Sequence, residues 1–143
     1  MKTKMNFSVL LLAICIMFCS FGSVVHADNE GFRYSSISSA DLSAYVSTSG
    51  FLSLEASYNG YSGITTGAKI TTYVQKRTLG LFWTKVNNGQ PNNEWVDNLS
   101  GSSNDADHSL QLSSTGTYRV TASFTIYATS GNESFTLQRT VVY

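Results

Sequence analysis

The sequence predicts an all-β fold, an antiparallel β-sandwich of about seven or eight strands with no disulfide. β-Branched and aromatic residues recur with a period of two, in short runs, over most of the chain. Gly, Asn and Ser separate these runs, as they do in turns. The only two cysteines lie near the N-terminus, outside the alternating region. We therefore expect the sandwich to be closed by packing alone.

The N-terminal residues predict a cleaved signal peptide. Two lysines within residues 1–4 precede an apolar run over 7–18, which is shorter than a membrane span requires. Val25-His26-Ala27 suits a signal peptidase, so we expect cleavage after Ala27 and a secreted, extracellular chain that contains no membrane span. Both cysteines leave with the signal peptide.

The predicted mature chain begins at Asp28. We expect a polar lead-in over 28–41 and one sandwich domain over 42–143. Its seven Lys and Arg and nine Asp and Glu give a net charge of −2. Because no basic cluster is present, nucleic acid is not an expected partner. Because no cysteine is left, a disulfide scaffold, a thiol enzyme and a cysteine zinc site are excluded.

The predicted strands follow from the alternation along the chain. Residues 51–58 place Leu52, Leu54, Ala56 and Tyr58 on one face, and the strand from Tyr118 to Tyr127 shows the longest alternation. The polar stretch 100–107 is predicted to be a loop. In the final strand Arg139 falls among the inward positions, where a charge is unexpected. The other predicted strands cover 42–48, 68–76, 81–86, 94–99 and 108–112.

Residues 112–120 predict a tyrosine corner, with Gly116 two positions before Tyr118 at the start of a strand. Such a tyrosine packs its ring in the core while its hydroxyl binds upstream backbone. Together with 70–76, the following Trp83 and the terminal Val-Val-Tyr, this stretch resembles the small secreted single-domain Ig-like proteins of Gram-positive bacteria. The resemblance implies an immunoglobulin-like sandwich and supplies no catalytic residue.

Few residues suggest catalysis or metal binding. His108 lies beside Asp105, Asp107 and Ser109, but the members of a Ser-His-Asp triad usually come from separate elements. Asn104, Asp105 and Asp107 offer oxygen ligands to calcium, yet they are fewer than calcium needs. A solvated loop is the favoured interpretation of both patterns. We predict no catalytic residue, no metal and no cofactor.

Outward aromatic residues give the sharpest functional prediction. Tyr73, Trp83 and Tyr127 are expected on one exposed face, where they could bind a protein or a cell-surface glycan. The alternative is that they only stabilise the sheet as cross-strand pairs. The predicted function is a non-catalytic extracellular binding module. A secreted bacteriocin-like or host-directed effector is the alternative, and a hydrolase with its site on loops is the least favoured.

Overall fold

The computed structural model describes residues 34–143, which lie within one compact unit. The predicted signal peptide, its cleavage site and the first part of the lead-in lie outside the described residues. The described part is all-β, with eight strands and one short 3-10 turn at Pro91–Asn93. It contains no helix that is long and apolar enough to cross a membrane.

Three strands form the smaller sheet, in the order β1-β2-β6, with both pairs antiparallel. They are β1 (Ile37–Val46), β2 (Phe51–Gly60) and β6 (Ser103–Gln111). Strand β1 begins at Ile37, earlier than the predicted start at Leu42. The end of the predicted lead-in is therefore part of the sheet, because Ile37 is buried and 39–41 pair with β2.

The larger sheet has five strands. Its order is β4-β3-β7-β8, and β5 pairs with β3 along the same edge as β4. The strands are β3 (Thr65–Thr78), β4 (Phe82–Lys85), β5 (Trp95–Ser100), β7 (Thr117–Ala128) and β8 (Glu133–Val142). All of their pairings are antiparallel. The two antiparallel sheets confirm the all-β sandwich that the alternation predicts, and residues 34–143 contain no cysteine.

The core lies between the inward faces of the two sheets. In β2 the four predicted residues are all buried, namely Leu52, Leu54, Ala56 and Tyr58. The larger sheet covers them with side chains of β3 and β7, namely Ala68, Ile70, Val74, Val120, Ala122, Phe124 and Ile126. The Phe124 and Phe135 rings stack with centroids 4.8 Å apart. This apolar area is the main favourable contribution to folding.

The prediction of a loop over 100–107 is wrong for most of that stretch. Strand β6 begins at Ser103 and pairs with β2 along its whole length. Ala106 lies opposite Ala56 and is buried, while Asp105 and Asp107 point to solvent. Polar residues are tolerated here because one face of the strand is exposed and the neighbouring strand satisfies its backbone.

Two polar contacts close the open edge between β1 and β8. Arg139 lies on the inward phase of β8, but its Nε donates to the Leu42 carbonyl at 2.8 Å and its Nη2 lies 3.4 Å from Asp41. The Glu133 carboxylate accepts hydrogen bonds from the Ser35 and Ser36 hydroxyls. Arg139 is thus an edge residue that joins the two sheets rather than a core residue.

Tyr118 fastens the chain segment that enters β7. Its ring is buried and its hydroxyl donates to the Ser114 carbonyl at 2.5 Å. Gly116, between them, has a φ of 150° and exchanges two backbone hydrogen bonds with Tyr143. The turn before β7 is therefore held by the ring, by the hydroxyl and by the end of the last strand.

Candidate functional site

The outer face of the five-stranded sheet carries aromatic and cationic side chains together. Strand alternation turns the odd-numbered residues of β3 and β7 outward, since Ile70, Val74 and Val120 are buried. The cross-strand registers then bring five residues of three strands onto one part of this face. We call this group the aromatic-cationic face; its members are Tyr73, Gln75, Trp83, Lys85 and Arg119.

Three cross-strand pairs assemble the aromatic-cationic face. Gln75 of β3 lies between Lys85 of β4 and Arg119 of β7. Trp83 is opposite Arg77, one outward position along β3. Directly opposed side chains are about 5 Å apart and diagonal neighbours about 7–8 Å apart, so long side chains bridge adjacent rows. The pairing register of the short β3–β4 hairpin and of the long central β3–β7 pair therefore determines which side chains meet in the site.

Arg119 is the most constrained member of this face. Its Nε and Nη2 both donate to the Gln75 side-chain oxygen, at 3.2 and 2.7 Å. Its guanidinium carbon lies 4.4 Å from the centroid of the Trp83 ring, a cation-π contact. Two neighbours thus fix the plane of the guanidinium. No hydrogen bond within residues 34–143 engages Nη1, whose donors are available to a planar anion.

The Tyr73 ring contacts a second cation. Lys85 Nζ lies 4.6 Å from the centroid of the Tyr73 ring and forms an ion pair with Glu94. Tyr73 and Trp83 are both half-buried. Each ring is therefore contacted by a positive group; Glu94 compensates the charge of Lys85, whereas Arg119 has no ion pair within residues 34–143.

Tyr127 lies on the same outward phase but in another part of the sheet. It pairs with Gly67 at the far end of β3, whereas Tyr73 pairs with Thr121. Six residues of strand separate Thr121 from Tyr127, about 20 Å at 3.3 Å per residue. Within the aromatic-cationic face Trp83 contacts Arg119 and Tyr73 contacts Lys85, and Tyr127 lies apart from both rings.

The two outer faces of the sandwich carry opposite charges. The outward basic side chains of the five-stranded sheet are Lys69, Arg77, Lys85 and Arg119, and its strands have no outward acidic residue. The outward phase of the three-stranded sheet holds only acids as charged residues, namely Asp41, Glu55, Asp105 and Asp107. Glu55 and Asp107 are directly opposed, an arrangement that costs stability.

His108 has a structural environment that its sequence neighbours do not predict. It lies on the inward phase of β6, where Nε2 is 2.7 Å from Asp97 Oδ2 and the ring stacks on Trp95 at 4.8 Å. Asp107 and Ser109 point to the other side of the strand. The partner of His108 thus comes from β5, and the triad of sequence neighbours is excluded by strand alternation.

The three residues considered as calcium ligands do not converge. Asp105 and Asp107 are outward on β6, whereas Asn104 has the opposite phase and donates from its side-chain amide to the Ser100 carbonyl. Within residues 34–143 no group of three or more His, Cys, Asp or Glu side chains is arranged to hold a metal ion.

The role of Arg119 and Lys85 was not apparent from the sequence. Both stand at outward positions of their strands, and an outward Arg or Lys is ordinarily a solvated surface residue. Which aromatic ring each cation meets depends on pairings between strands that are distant in sequence. The available signal was the combination of an outward arginine, in the strand with the longest alternation, with an aromatic pair in a neighbouring hairpin.

Comparison with known proteins gives little further information. No protein-family model and no curated protein matches the chain. Among solved structures, the crystal structure of wild-type OgpA from Akkermansia muciniphila aligns with a TM-score of 0.40 and 11% identity, over 77% of this chain and 31% of that chain. The match therefore spans about a third of that protein, and a TM-score this low does not establish a shared fold.

Proposed function

We propose that this protein is a secreted, non-catalytic binding module that captures an acidic cell-surface glycan through the aromatic-cationic face. The observation that carries the proposal is the pre-organised Arg119, fixed between Gln75 and Trp83 with donors left over. Arginine in this setting loses little side-chain entropy on binding a carboxylate or a sulfate. Its guanidinium can bind either group through two parallel hydrogen bonds.

The ligand class follows from the chemistry of the face. Lys69, Arg77, Lys85 and Arg119 are outward on one sheet, and the outward acids belong to the other. A positive surface steers anions toward it and rejects cations. The aromatic rings add apolar area against which a sugar ring can pack. An acidic glycan combines both properties, whereas a neutral glycan would leave Lys69, Arg77 and Arg119 without an anionic partner within residues 34–143.

An immunoglobulin-like fold suits this role. In this proposal the order β1-β2-β6 is assigned to strands A, B and E of such a sandwich and β4-β3-β7-β8 to C′, C, F and G, while β5 departs from the pattern because it pairs with β3 and not with β6. Tyr118 then occupies the tyrosine corner at the start of strand F. On this assignment the binding face is the outer surface of the C′CFG sheet, a rigid platform rather than a set of loops.

Binding without catalysis is favoured by the surroundings of His108. A hydrolytic histidine has to reach a nucleophile as well as a carboxylate. His108 binds Asp97 and stacks on Trp95 at the sandwich edge, and no serine hydroxyl within residues 34–143 hydrogen-bonds to it. An Asp-His pair of this kind joins two strands of different sheets, which is a sufficient structural role.

The proposal is tested by capture of the protein, starting at Asp28, on cells of the producing organism, on Gram-positive bacterial cells and on host cells. We expect Arg119→Gln to weaken capture about tenfold to a hundredfold, the loss of one charge-assisted hydrogen-bond pair. Trp83→Ala should weaken it similarly because the guanidinium loses its support. Tyr45→Ala is the matched control, since Tyr45 is an exposed aromatic on the acidic face.

Each outcome of this capture experiment has a defined meaning. Capture that is lost in both face variants and kept in Tyr45→Ala supports the proposed face. Capture that survives Arg119→Gln and Trp83→Ala, in proteins that fold normally, contradicts it. A strong loss in Tyr45→Ala would instead assign binding to the three-stranded sheet.

A further inference from the structure

The hairpin between β3 and β4 exposes three large apolar side chains at its tip. Leu79, Leu81 and Phe82 are 85%, 75% and 63% exposed. We call these three residues the hairpin tip. Single exposed apolar residues are ordinary on protein surfaces, but three within four consecutive positions form a patch. Patches of this kind mark contacts with membranes or with other proteins.

The backbone of the hairpin tip adopts an unusual conformation for a leucine. Leu79 and Gly80 both have positive φ, 53° and 70°, and the turn is closed by the Leu81 N–H, which donates to the Thr78 carbonyl. Tight hairpin turns with positive φ at both central positions favour Asn-Gly. Leucine is unfavourable at the first of these positions. Here an apolar residue occupies a strained, solvent-exposed position where a polar residue would make the turn more stable.

Cations and aromatic rings surround the hairpin tip. Arg77 is exposed beside the turn and has no ion pair within residues 34–143, while Trp83 follows directly on the other strand. Lys85 and Arg119 lie one row further from the tip. The apolar side chains lie at the end of the hairpin, and Trp, Tyr and basic residues lie further from that end. This order matches the depth profile of a bilayer surface with anionic headgroups.

We propose that the hairpin tip inserts into an anionic lipid surface, with Arg77 and its basic neighbours binding the headgroups. Insertion removes the three apolar side chains from water, which compensates for the strain at Leu79. A convex turn reaches the acyl boundary without rearranging the sheets. This activity needs only lipid, and the residues that test it, Leu79, Leu81 and Arg77, lie outside the aromatic-cationic face, although Lys85 and Arg119 would take part in both activities.

Loss of one buried leucine side chain weakens partition by at least about tenfold. Loss of one basic charge near the surface weakens it about fivefold on anionic vesicles and not on neutral ones. Leu79→Asn, by contrast, should raise the urea midpoint of unfolding, because asparagine tolerates positive φ.

The test is co-sedimentation of the chain starting at Asp28 with vesicles. One vesicle type contains equal parts of phosphatidylglycerol and phosphatidylcholine, the other phosphatidylcholine alone. We expect sedimentation with the anionic vesicles, at least about a hundredfold weaker partition in the Leu79→Asn, Leu81→Ser double variant, and about fivefold weaker partition in Arg77→Gln. Val142→Ser is the matched control, since Val142 is 73% exposed on β8.

The urea midpoint of the Leu79→Asn, Leu81→Ser double variant separates a binding defect from misfolding. Loss of partition in a variant that is at least as stable as the wild type supports insertion. Equal partition of the wild type and the double variant overturns the proposal. Absence of wild-type sedimentation with both vesicle types also overturns the proposal. The hairpin tip would then be assigned to binding in an apolar pocket of a partner protein.

Discussion

The hydroxyl of Tyr118 offers a clean test of how the sandwich is held together. It donates to the Ser114 carbonyl at 2.5 Å, while the ring is only 1% exposed. Tyr118→Phe removes the hydroxyl and leaves the ring packing unchanged. The net contribution of one hydrogen bond to the free energy of unfolding is about 0.5–1.5 kcal/mol. Ser114 lies at the surface, where water can rehydrate its carbonyl. We therefore expect a loss of about 1 kcal/mol in the free energy of unfolding.

The assay for Tyr118→Phe is urea unfolding at constant pH, with the thermal midpoint as a second measure. A loss of 1 kcal/mol lowers the midpoint by about 4 °C for a domain of this size. Tyr127→Phe is the control, since no hydrogen bond of the Tyr127 hydroxyl is found within residues 34–143. Wild-type stability in Tyr118→Phe, within about 0.3 kcal/mol, would refute the role given to the hydroxyl.

Three further predictions concern stability. Thr72→Val should raise the free energy of unfolding by about 1 kcal/mol, because the Thr72 hydroxyl is buried without a partner within the described residues; an unchanged or lower value in urea unfolding would contradict this. Gly50→Ala should cost about 1–3 kcal/mol, since Gly50 has a φ of 80° and a Cβ there would lie 2.5 Å from the Tyr143 ring; an unchanged thermal midpoint would contradict it. The Ser36 hydroxyl lowers the pKa of Glu133 below its ordinary value, so this stabilisation is present above the pKa of the unfolded chain and is lost as the pH falls through the folded value. Glu133→Gln should then show a smaller loss of thermal midpoint between neutral and acidic pH than the wild type, and equal losses would count against the contact.

Much of the fold could be predicted from alternation. The inward set of β2 and the long strand β7 have clear period-two patterns, because each buries one face against the other sheet. Tyr118 was recognisable because its contact is local, four residues along the chain. Local patterns of this kind need no knowledge of which strands pair.

The remaining features depend on long-range pairing. Strand β6 is polar at its start and becomes a strand because β2 supplies its backbone partners. Arg139 is a charged residue at an inward position of β8, and only its hydrogen bond to the neighbouring strand β1 explains it. The contact of Arg119 with Trp83 joins two strands through a third. In each case the deciding neighbour is far away in sequence, and no local propensity encodes it.

Whether the aromatic-cationic face binds acidic glycans is tested by a glycan array that compares acidic and neutral glycans with matched backbones, probed with the wild type and with Arg119→Gln. If the aromatic-cationic face is the binding surface, the wild type will bind carboxylated or sulfated glycans, its signal will fall as salt is added, and Arg119→Gln will lose it. Equal binding of neutral and acidic glycans, or an undiminished signal in folded Arg119→Gln, would contradict the account.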